Sequence, residues 1–356
     1  MKRSEGDEWK HWKSMLVLFL GAVVAGAWAA DETPDVYASV KKVCPDGIDV
    51  VYLWVNGTSP EHLRQMAEYG RAKVGGLYKD YGTLRFGFRS VVEYAPFVER
   101  IFLVTNGEVP DYVDMEKART SRPQLIVVPH ASIMKKEILP TFNSNVIESH
   151  IHLIPGIREC ILYMNDDMML GKPLDPRFFV NRGAKLNVYY NGFTAPNVEG
   201  EKRSIWHRSV SNTNTIANRV YHNGAVVQHS YPAHHCYFFK RSVLEKMNAV
   251  WSADYDVARK NRFRKANDVV ISFLHAVVAT EEGLGEYVSQ RRNFYFSWWK
   301  ASRADNEKTM KTIATGKYQC ICLNDQIGGE PNAEAEVDYL FEEYSKILPR
   351  KAPFEK

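Results

Sequence analysis

Cysteine is scarce: Cys44, Cys160, Cys236, Cys320 and Cys322 are the only five in 356 residues. They are too few and too scattered for a disulfide scaffold, and their odd number leaves at least one unpaired within the chain. Cys320 and Cys322 share one face of a strand, but no second cysteine or histidine pair at zinc-finger spacing accompanies them, so they read as structural. Strong charge of either sign is also missing. A net charge of +4 gives no electrostatic case for a nucleic-acid partner, and the basic run at 259–265 defaults to a solvated face. Neither an internal repeat nor a low-complexity tract occurs, which excludes solenoids and fibrous chains.

What is present is an ordinary globular composition, 45% hydrophobic and 25% charged, on a chain long enough to bury a substantial core. Residues 15–30 are apolar and rich in small side chains, and Lys2, Arg3, Lys10 and Lys13 precede them. That charge order is the order of a secretory signal or signal anchor, and Ala27-Trp28-Ala29 offers a cleavage site. The run is short for a spanning helix, though a thin early-secretory membrane would tolerate it. Entry into the secretory pathway is expected, as a lumenal or type II membrane protein. Residues 31–47, polar and containing Pro34 and Pro45, read as a linker or stem.

Folding begins with I-D-V-V-Y-L-W-V at 48–55, a β-branched and aromatic strand closed by Asn56-Gly57. Asn56 also lies in an N-glycosylation sequon, which is expected to stay unmodified. Helical patterning follows over 59–78, and Thr83 is placed to cap a second helix that ends before Pro96. Arg85 and Arg89 share a face of that helix. Strands at 101–105 and 125–128 alternate with helical stretches, a pattern that predicts an α/β fold with a mainly parallel sheet and helices on both faces. A helix over 145–153 would place Glu148 and His152 on one side. Beyond Pro173 the stretch 187–216 shows no clear period and reads as a loop-rich excursion. Later come helices at 242–247, 266–279 and 333–348 and a strand at 319–323. The aromatic run Phe294, Tyr295, Phe296, Trp298, Trp299 is either core or a sugar-stacking wall.

One stretch violates simple burial. C-I-L-Y-M at 160–164 is a strand buried on both faces, yet it ends in Asn165, Asp166 and Asp167 before apolar residues resume at Met168. Adjacent carboxylates lose solvation and repel, so they persist only beside a cation, a hydrogen-bond network or cleft water. In open α/β sheets that position is where ligands bind. Three further polar groups stand out: Asn324/Asp325 at another strand end, His234/His235 after Pro232, and Arg264 beside Asn267/Asp268. Carboxylates gathered at strand ends suit a hard divalent cation, Mg2+ or Mn2+, shielding a diphosphate. Histidine can take a proton from an attacking hydroxyl, and arginine can fork onto phosphate oxygens. The combination suggests transfer chemistry at a nucleotide-sugar phosphate.

These blocks resemble the Stealth family of sugar-phosphate transferases. The first is I-D-V-V-Y-L-W-V-N-G-T at 48–58. The second runs through L-R-F-G-F-R-S at 84–90, I-F-L-V-T-N-G at 101–107, L-P-T-F-N-S at 139–144, I-E-S-H-I-H at 147–152 and Y-M-N-D-D at 163–167. P-A-H-H at 232–235 with F-R-K-A-N-D at 263–268 form the third, and C-L-N-D at 322–325 with L-P-R-K-A-P-F-E at 348–355 the fourth.

The resemblance implies a Rossmann-like, glycosyltransferase-A-type core that moves a hexose 1-phosphate from a nucleotide sugar to an acceptor hydroxyl. It implies one catalytic domain over 48–356, made of a nucleotide-sugar half (48–180), the loop-rich insert (181–230) and a second half (231–356). Glu148, Asp167, His234 and Arg264 fall on family positions implicated in catalysis. Their chemistry makes His234 the leading general base, Arg264 a phosphate clamp, Asp167 a metal ligand or alternative base, and Glu148 an orienting or acceptor-binding group. The plainer alternatives are that Glu148 caps or pairs within its helix and that Arg264 answers Asp268. Trp54, Asn56, Arg85 and Asn165 are expected donor contacts, and Asp166 and Asp325 further metal ligands. The animal lysosomal relative carries large accessory modules between the second and third blocks, and this chain has only a compact segment there. A glycan or glycoprotein hydroxyl is therefore the expected acceptor, and the Golgi the expected location. An ordinary metal-dependent glycosyltransferase and a catalytically silent sugar-binding protein are the rival readings.

Overall fold

A computed structural model describes residues 34–70, 80–195, 204–289, 293–328 and 330–356. The expected signal or anchor segment, the end of the first predicted helix after Gly70 and the centre of the excursion at 196–203 lie outside the described residues. In chain order the elements begin with α1 (Pro34–Val43), β1 (Ile48–Leu53), α2 (Pro60–Glu68), α3 (Leu84–Tyr94) and β2 (Arg100–Thr105). Next are α4 (Met115–Thr120), β3 (Gln124–Pro129), α5 (His130–Ile133), α6 (Ser144–Glu148), β4 (Cys160–Asn165) and β5 (Met168–Leu170). There follow β6 (Leu186–Thr194), α7 (Ile205–Tyr221), β7 (Ser230–Pro232), β8 (Tyr237–Lys240), α8 (Arg241–Val250) and α9 (Ser252–Ala258). The chain closes with α10 (Ile271–Glu281), β9 (Gly285–Ser289), β10 (Phe294–Trp299), α11 (Arg303–Ile313), β11 (Cys320–Asp325) and α12 (Ala333–Ile347).

The α/β architecture expected from the alternation is present. A five-stranded sheet runs β3-β2-β1-β4-β8, parallel throughout except for β8, which pairs antiparallel with β4. All six residues of β1 are buried, so both faces of the sheet are covered, as a parallel sheet requires. Chain order reverses between β1 and β4, because β2 and β3 extend to one side of β1 and β4 lies on the other. Their carboxyl ends therefore flank the crevice where open α/β sheets place ligands. A second sheet, β10-β11-β5, and a third, β7-β6-β9, complete the fold. The second has its own core of Phe86, Met169, Trp299, Met310, Ile321 and Leu340.

Several expectations need correction. The polar stretch at 31–47 is not a plain linker, because Pro34–Val43 is helical, Val40 is fully buried and Cys44 forms a disulfide with Cys160. The excursion at 181–230 contains a nine-residue strand and a 17-residue helix. Its period was obscured because α7 buries Ser209, Thr213, Asn214 and Asn218 along with its apolar residues, and each of these polar side chains donates to a backbone carbonyl, as Thr213 Oγ1 does to that of Ser209. Thr83 stands at the start of α3 but in helical geometry and without a side-chain capping bond. The helix expected over 145–153 ends at Glu148 and resumes only as a short 3-10 turn at Ile151–Leu153, so Glu148 and His152 do not share a helix face. The buried helix expected from residue 266 starts at Ile271, because 261–268 is held as a loop.

Candidate active site

Two strand registers place the central groups. β4 ends at Asn165, the chain turns through Asp166 and Asp167, and β5 then enters the second sheet antiparallel to β11, with Met168 opposite Cys322. The acids thus occupy the joint between two sheets. On the other side Tyr163 lies opposite Tyr237 in the β4–β8 ladder. Because β8 runs antiparallel, the residues just ahead of Tyr237 overhang the end of β4, and His234 is delivered beside Asp167. Donor atoms of Asp167, His234 and Cys322 all lie within 4.8 Å of one another. The Cys322 thiol donates to Asp167 Oδ2 at 3.4 Å, and the Leu323 amide donates to the Asp167 carbonyl at 3.1 Å. Asp167 Oδ1 is buried with no hydrogen-bond partner.

Glu148 and Arg264 arrive from a third direction. Asn143 caps α6 by accepting from the Asn145 amide, and Ser144, the first residue of α6, accepts from Arg264 Nη2 at 2.7 Å. The loop carrying Arg264 is pinned by buried Asp268, which accepts from Asn143 at 2.8 Å, Asn145 at 3.3 Å, Asn261 at 2.7 Å and the Lys265 amide at 3.0 Å. Asp268 is thereby satisfied by amides, and the Arg264 guanidinium is directed to Ser144.

Electrostatics ties the four residues together. Burial pushes the Glu148 carboxyl up to about 7, an effect that the Arg264 charge and the hydroxyls of Tyr163 and Ser144 partly offset. Burial likewise raises Asp167, opposed first by the charge of His234 and also by that of Arg264. His234 is lowered by burial and by Arg264, with Asp167 opposing, so its imidazole is neutral near pH 7. Its Nδ1 lies 3.0 Å from the Tyr237 hydroxyl. Asp166 is raised well above the carboxylate range by burial and then by the neighbouring charges of Asp167 and Asp80.

The other expected residues divide. Trp54 follows β1 and donates its indole N–H to Asp80 Oδ2 at 2.9 Å, and it orients an acid in doing so. Arg85 lies with its guanidinium carbon 4.3 Å from the centroid of the Tyr112 ring, and its Nε is buried and unpaired. Asn165 Oδ1 accepts from the Tyr163 hydroxyl at 2.7 Å. Asn56 Oδ1 accepts from the Thr58 amide and hydroxyl in a tight turn at the mouth of β1. Asp325 is occupied elsewhere, accepting from the Tyr81 hydroxyl at 3.1 Å and the Ile327 amide at 2.8 Å. Among the described residues the donors grouped with Asp167 are His234 and Cys322, not Asp166 and Asp325; the expected three-aspartate ligand set is not assembled. Its replacement mixes oxygen, nitrogen and sulfur. A hard cation would find in this site the unpartnered Asp167 Oδ1 as its oxygen ligand.

Sequence reasoning missed Asp80, Ser144, Tyr237 and the thiol of Cys322. Cys322 lay within a quoted block and two residues from Cys320, but its partner Asp167 is set by the β5–β11 register, which no local pattern reveals. His235, the adjacent histidine, belongs to the core: its ring stacks on Phe294 with centroids 3.8 Å apart, and burial lowers it to about 3. The aromatic run resolves by strand alternation. Trp299 is 2% exposed, whereas Phe296 and Trp298 are 42% and 43% exposed, and Phe296 lies edge-on to His234 at 5.6 Å.

Stealth protein conserved region 1 matches residues 46–74, conserved region 2 matches 77–188, and conserved region 3 matches 233–277. An exopolysaccharide phosphotransferase of Lactiplantibacillus plantarum is 27% identical over 88% of this chain and 97% of its own length. A receptor polysaccharide phosphotransferase of Streptococcus oralis is 28% identical over 86% of this chain and 99% of its own. An exopolysaccharide phosphotransferase of Streptomyces coelicolor is 31% identical over 87% of this chain, which spans 51% of that protein. Among solved structures, the galactosyltransferase LgtC with donor and acceptor sugar analogues aligns over 85% of this chain and 95% of its own, at 11% identity and a TM-score of 0.40. The three matched regions carry Trp54, Glu148, Asp167, His234 and Arg264, and the chain belongs to the Stealth family.

Proposed function

We propose that this chain is a sugar-phosphate transferase that moves a hexose 1-phosphate from a nucleotide sugar to a glycan hydroxyl. One observation carries the reading: beyond the end of β4, at the parallel sheet's switch point, ligand atoms of Asp167 and His234 lie within 4.8 Å of one another, and Arg264 is bonded to Ser144 on the helix that carries Glu148. Neutral His234 takes the proton of the acceptor hydroxyl as its oxygen attacks the β-phosphorus. The bond from that phosphorus to the bridging oxygen breaks, and nucleoside monophosphate leaves with the electron pair. Arg264 follows the negative charge on the phosphate oxygens as it redistributes. Asp167, through its unpartnered Oδ1, would hold Mg2+ or Mn2+, which would supply charge shielding for the diphosphate. Exposed Phe296 and Trp298 suit stacking of a sugar ring next to the base. The Cys44–Cys160 disulfide and the basic-then-apolar N-terminus support a secretory location, with the Golgi as the compartment we favour.

Donor labelled in the β-phosphate, incubated with purified protein and a divalent metal, tests the reading. Nucleoside monophosphate should appear and the label should pass to the acceptor. Release of nucleoside diphosphate with no label transfer would establish ordinary glycosyl transfer instead. His234→Ala and Asp167→Asn should each lower turnover by roughly 100- to 10,000-fold in folded protein; full activity in both would remove these residues from the mechanism.

A further inference from the structure

A second group of ligand-type side chains lies apart from the residues around Asp167. His222 follows the last residue of α7, His229 immediately precedes β7, and Glu281 ends α10. His222 Nε2 lies 3.3 Å from His229 Nε2 and 3.5 Å from Glu281 Oε1, and His229 Nε2 lies 3.3 Å from that same oxygen. Three lone-pair atoms from three elements therefore form a nearly equilateral triangle.

The hydrogen bond on the far side of the His229 ring suits a cation at the centre of the triangle. His229 Nδ1 lies 2.7 Å from Asn214 Oδ1, an oxygen that can only accept, so Nδ1 carries the ring proton and Nε2 of neutral His229 is an acceptor. Glu281 Oε1 is an acceptor as well. One metal ion at the centre of the triangle would accept a lone pair from each of the three atoms. In tetrahedral zinc sites, with bonds of roughly 2.0–2.1 Å, neighbouring ligand atoms stand about 3.3–3.4 Å apart. The observed separations match that edge length. The Asn214 contact is also the outer hydrogen bond that fixes tautomer and ring direction in metal-bound histidines. Asn214 and Asn218 both donate to the Val227 carbonyl, at 2.8 and 2.9 Å, and so hold the connecting segment in place. His222 and Glu281 side chains are 23% and 28% exposed, which leaves a path for an ion and a fourth position for water.

We propose that His222, His229 and Glu281 bind a borderline divalent cation, Zn2+ first, as a clamp joining α7 to α10 and fixing the segment that leads into β7 and on to His234. Nitrogen and carboxylate donors in this number favour Zn2+ over Mg2+. Because the Asp167 group also contains metal-type donors, the test must separate the two. Chelator-treated full-length protein would be titrated with Zn2+ against a chromophoric chelator, with bound equivalents counted by native mass spectrometry and the thermal midpoint followed. Co2+ in place of Zn2+ adds a visible ligand-field signature. The expected result is that His222→Ala and Glu281→Gln each weaken one Zn2+ equivalent by about tenfold or more and abolish the Zn2+-induced rise in Tm and the Co2+ bands, while Asp167→Asn retains all three. Glu281→Gln, being isosteric, guards against a folding defect. Unchanged stoichiometry, affinity and Tm response in both variants, or no Zn2+ binding by the unmutated chain, would overturn the proposal.

Discussion

Glu148 is a carboxyl that the fold holds more easily uncharged. Its value of about 7, against an ordinary 4.5, arises chiefly from burial, so the sign of its effect on stability follows. Between those values the folded state binds more protons than the unfolded state, and stability is lost as pH rises through 7. Glu148→Gln, neutral at every pH, should match the parent near pH 4 and exceed it at pH 8 by up to about 3 kcal/mol, as urea denaturation at the two pH values would read. In the proposed reaction the same ionisation would place negative charge beside the donor diphosphate. Donor KM should therefore rise as pH passes 7 in the parent and stay flat in Glu148→Gln, whatever happens to kcat. A group that is costly to fold and tuned to neutrality fits a working residue better than a helix cap. His234, lowered by burial, should contribute a separate inflection in kcat/KM below the ordinary histidine range.

Among the elements, β5 carries a burden out of proportion to its three residues, because it sets Asp167 against β11. Gly171 follows it at a close approach: a Cβ there would meet the Tyr318 carbonyl oxygen at 2.5 Å and Ile321 Cδ1 at 2.6 Å. Gly171→Ala should cost about 1–3 kcal/mol and lower kcat as β5 is displaced, readable by thermal melts and steady-state rates on the same preparation. The contrast between β4 and β5 also shows how far the sequence could be read. The strands of the parallel sheet were legible because they are continuous apolar runs with turn residues after them, and Asp166-Asp167 was legible because two acids contradict such a run. What local pattern could not convey was partnership across sheets: that Cys322 would face Asp167, that Asp325 would turn away to Tyr81, and that Trp54 would orient Asp80. Helix α7 escaped for a different reason, since its buried face carries serine, threonine and asparagine that donate to backbone carbonyls, which erases the apolar period.

At the level of the whole molecule, the chain's last residues close the fold. Arg89 on α3 forks onto Glu355 through bonds of 2.8 and 2.7 Å, and both side chains are buried. Phe354 is fully buried against Phe88, and the Asp114 amide donates to its carbonyl. Removing one member of such a pair strands the other, so Glu355→Ala should destabilise by about 3–5 kcal/mol, measured by chemical denaturation. Arg89 with Glu355 both replaced by apolar residues should recover much of that loss. The β4–β8 ladder has a wider implication. Asp167 and His234 are brought together by the pairing of Tyr163 with Tyr237, not by the path the polypeptide takes between them. The stretch between β6 and α7 can therefore lengthen or carry another module while the spacing of the two groups stays fixed. In such a design acceptor choice can diverge among relatives without disturbing the step of phosphoryl chemistry that they share.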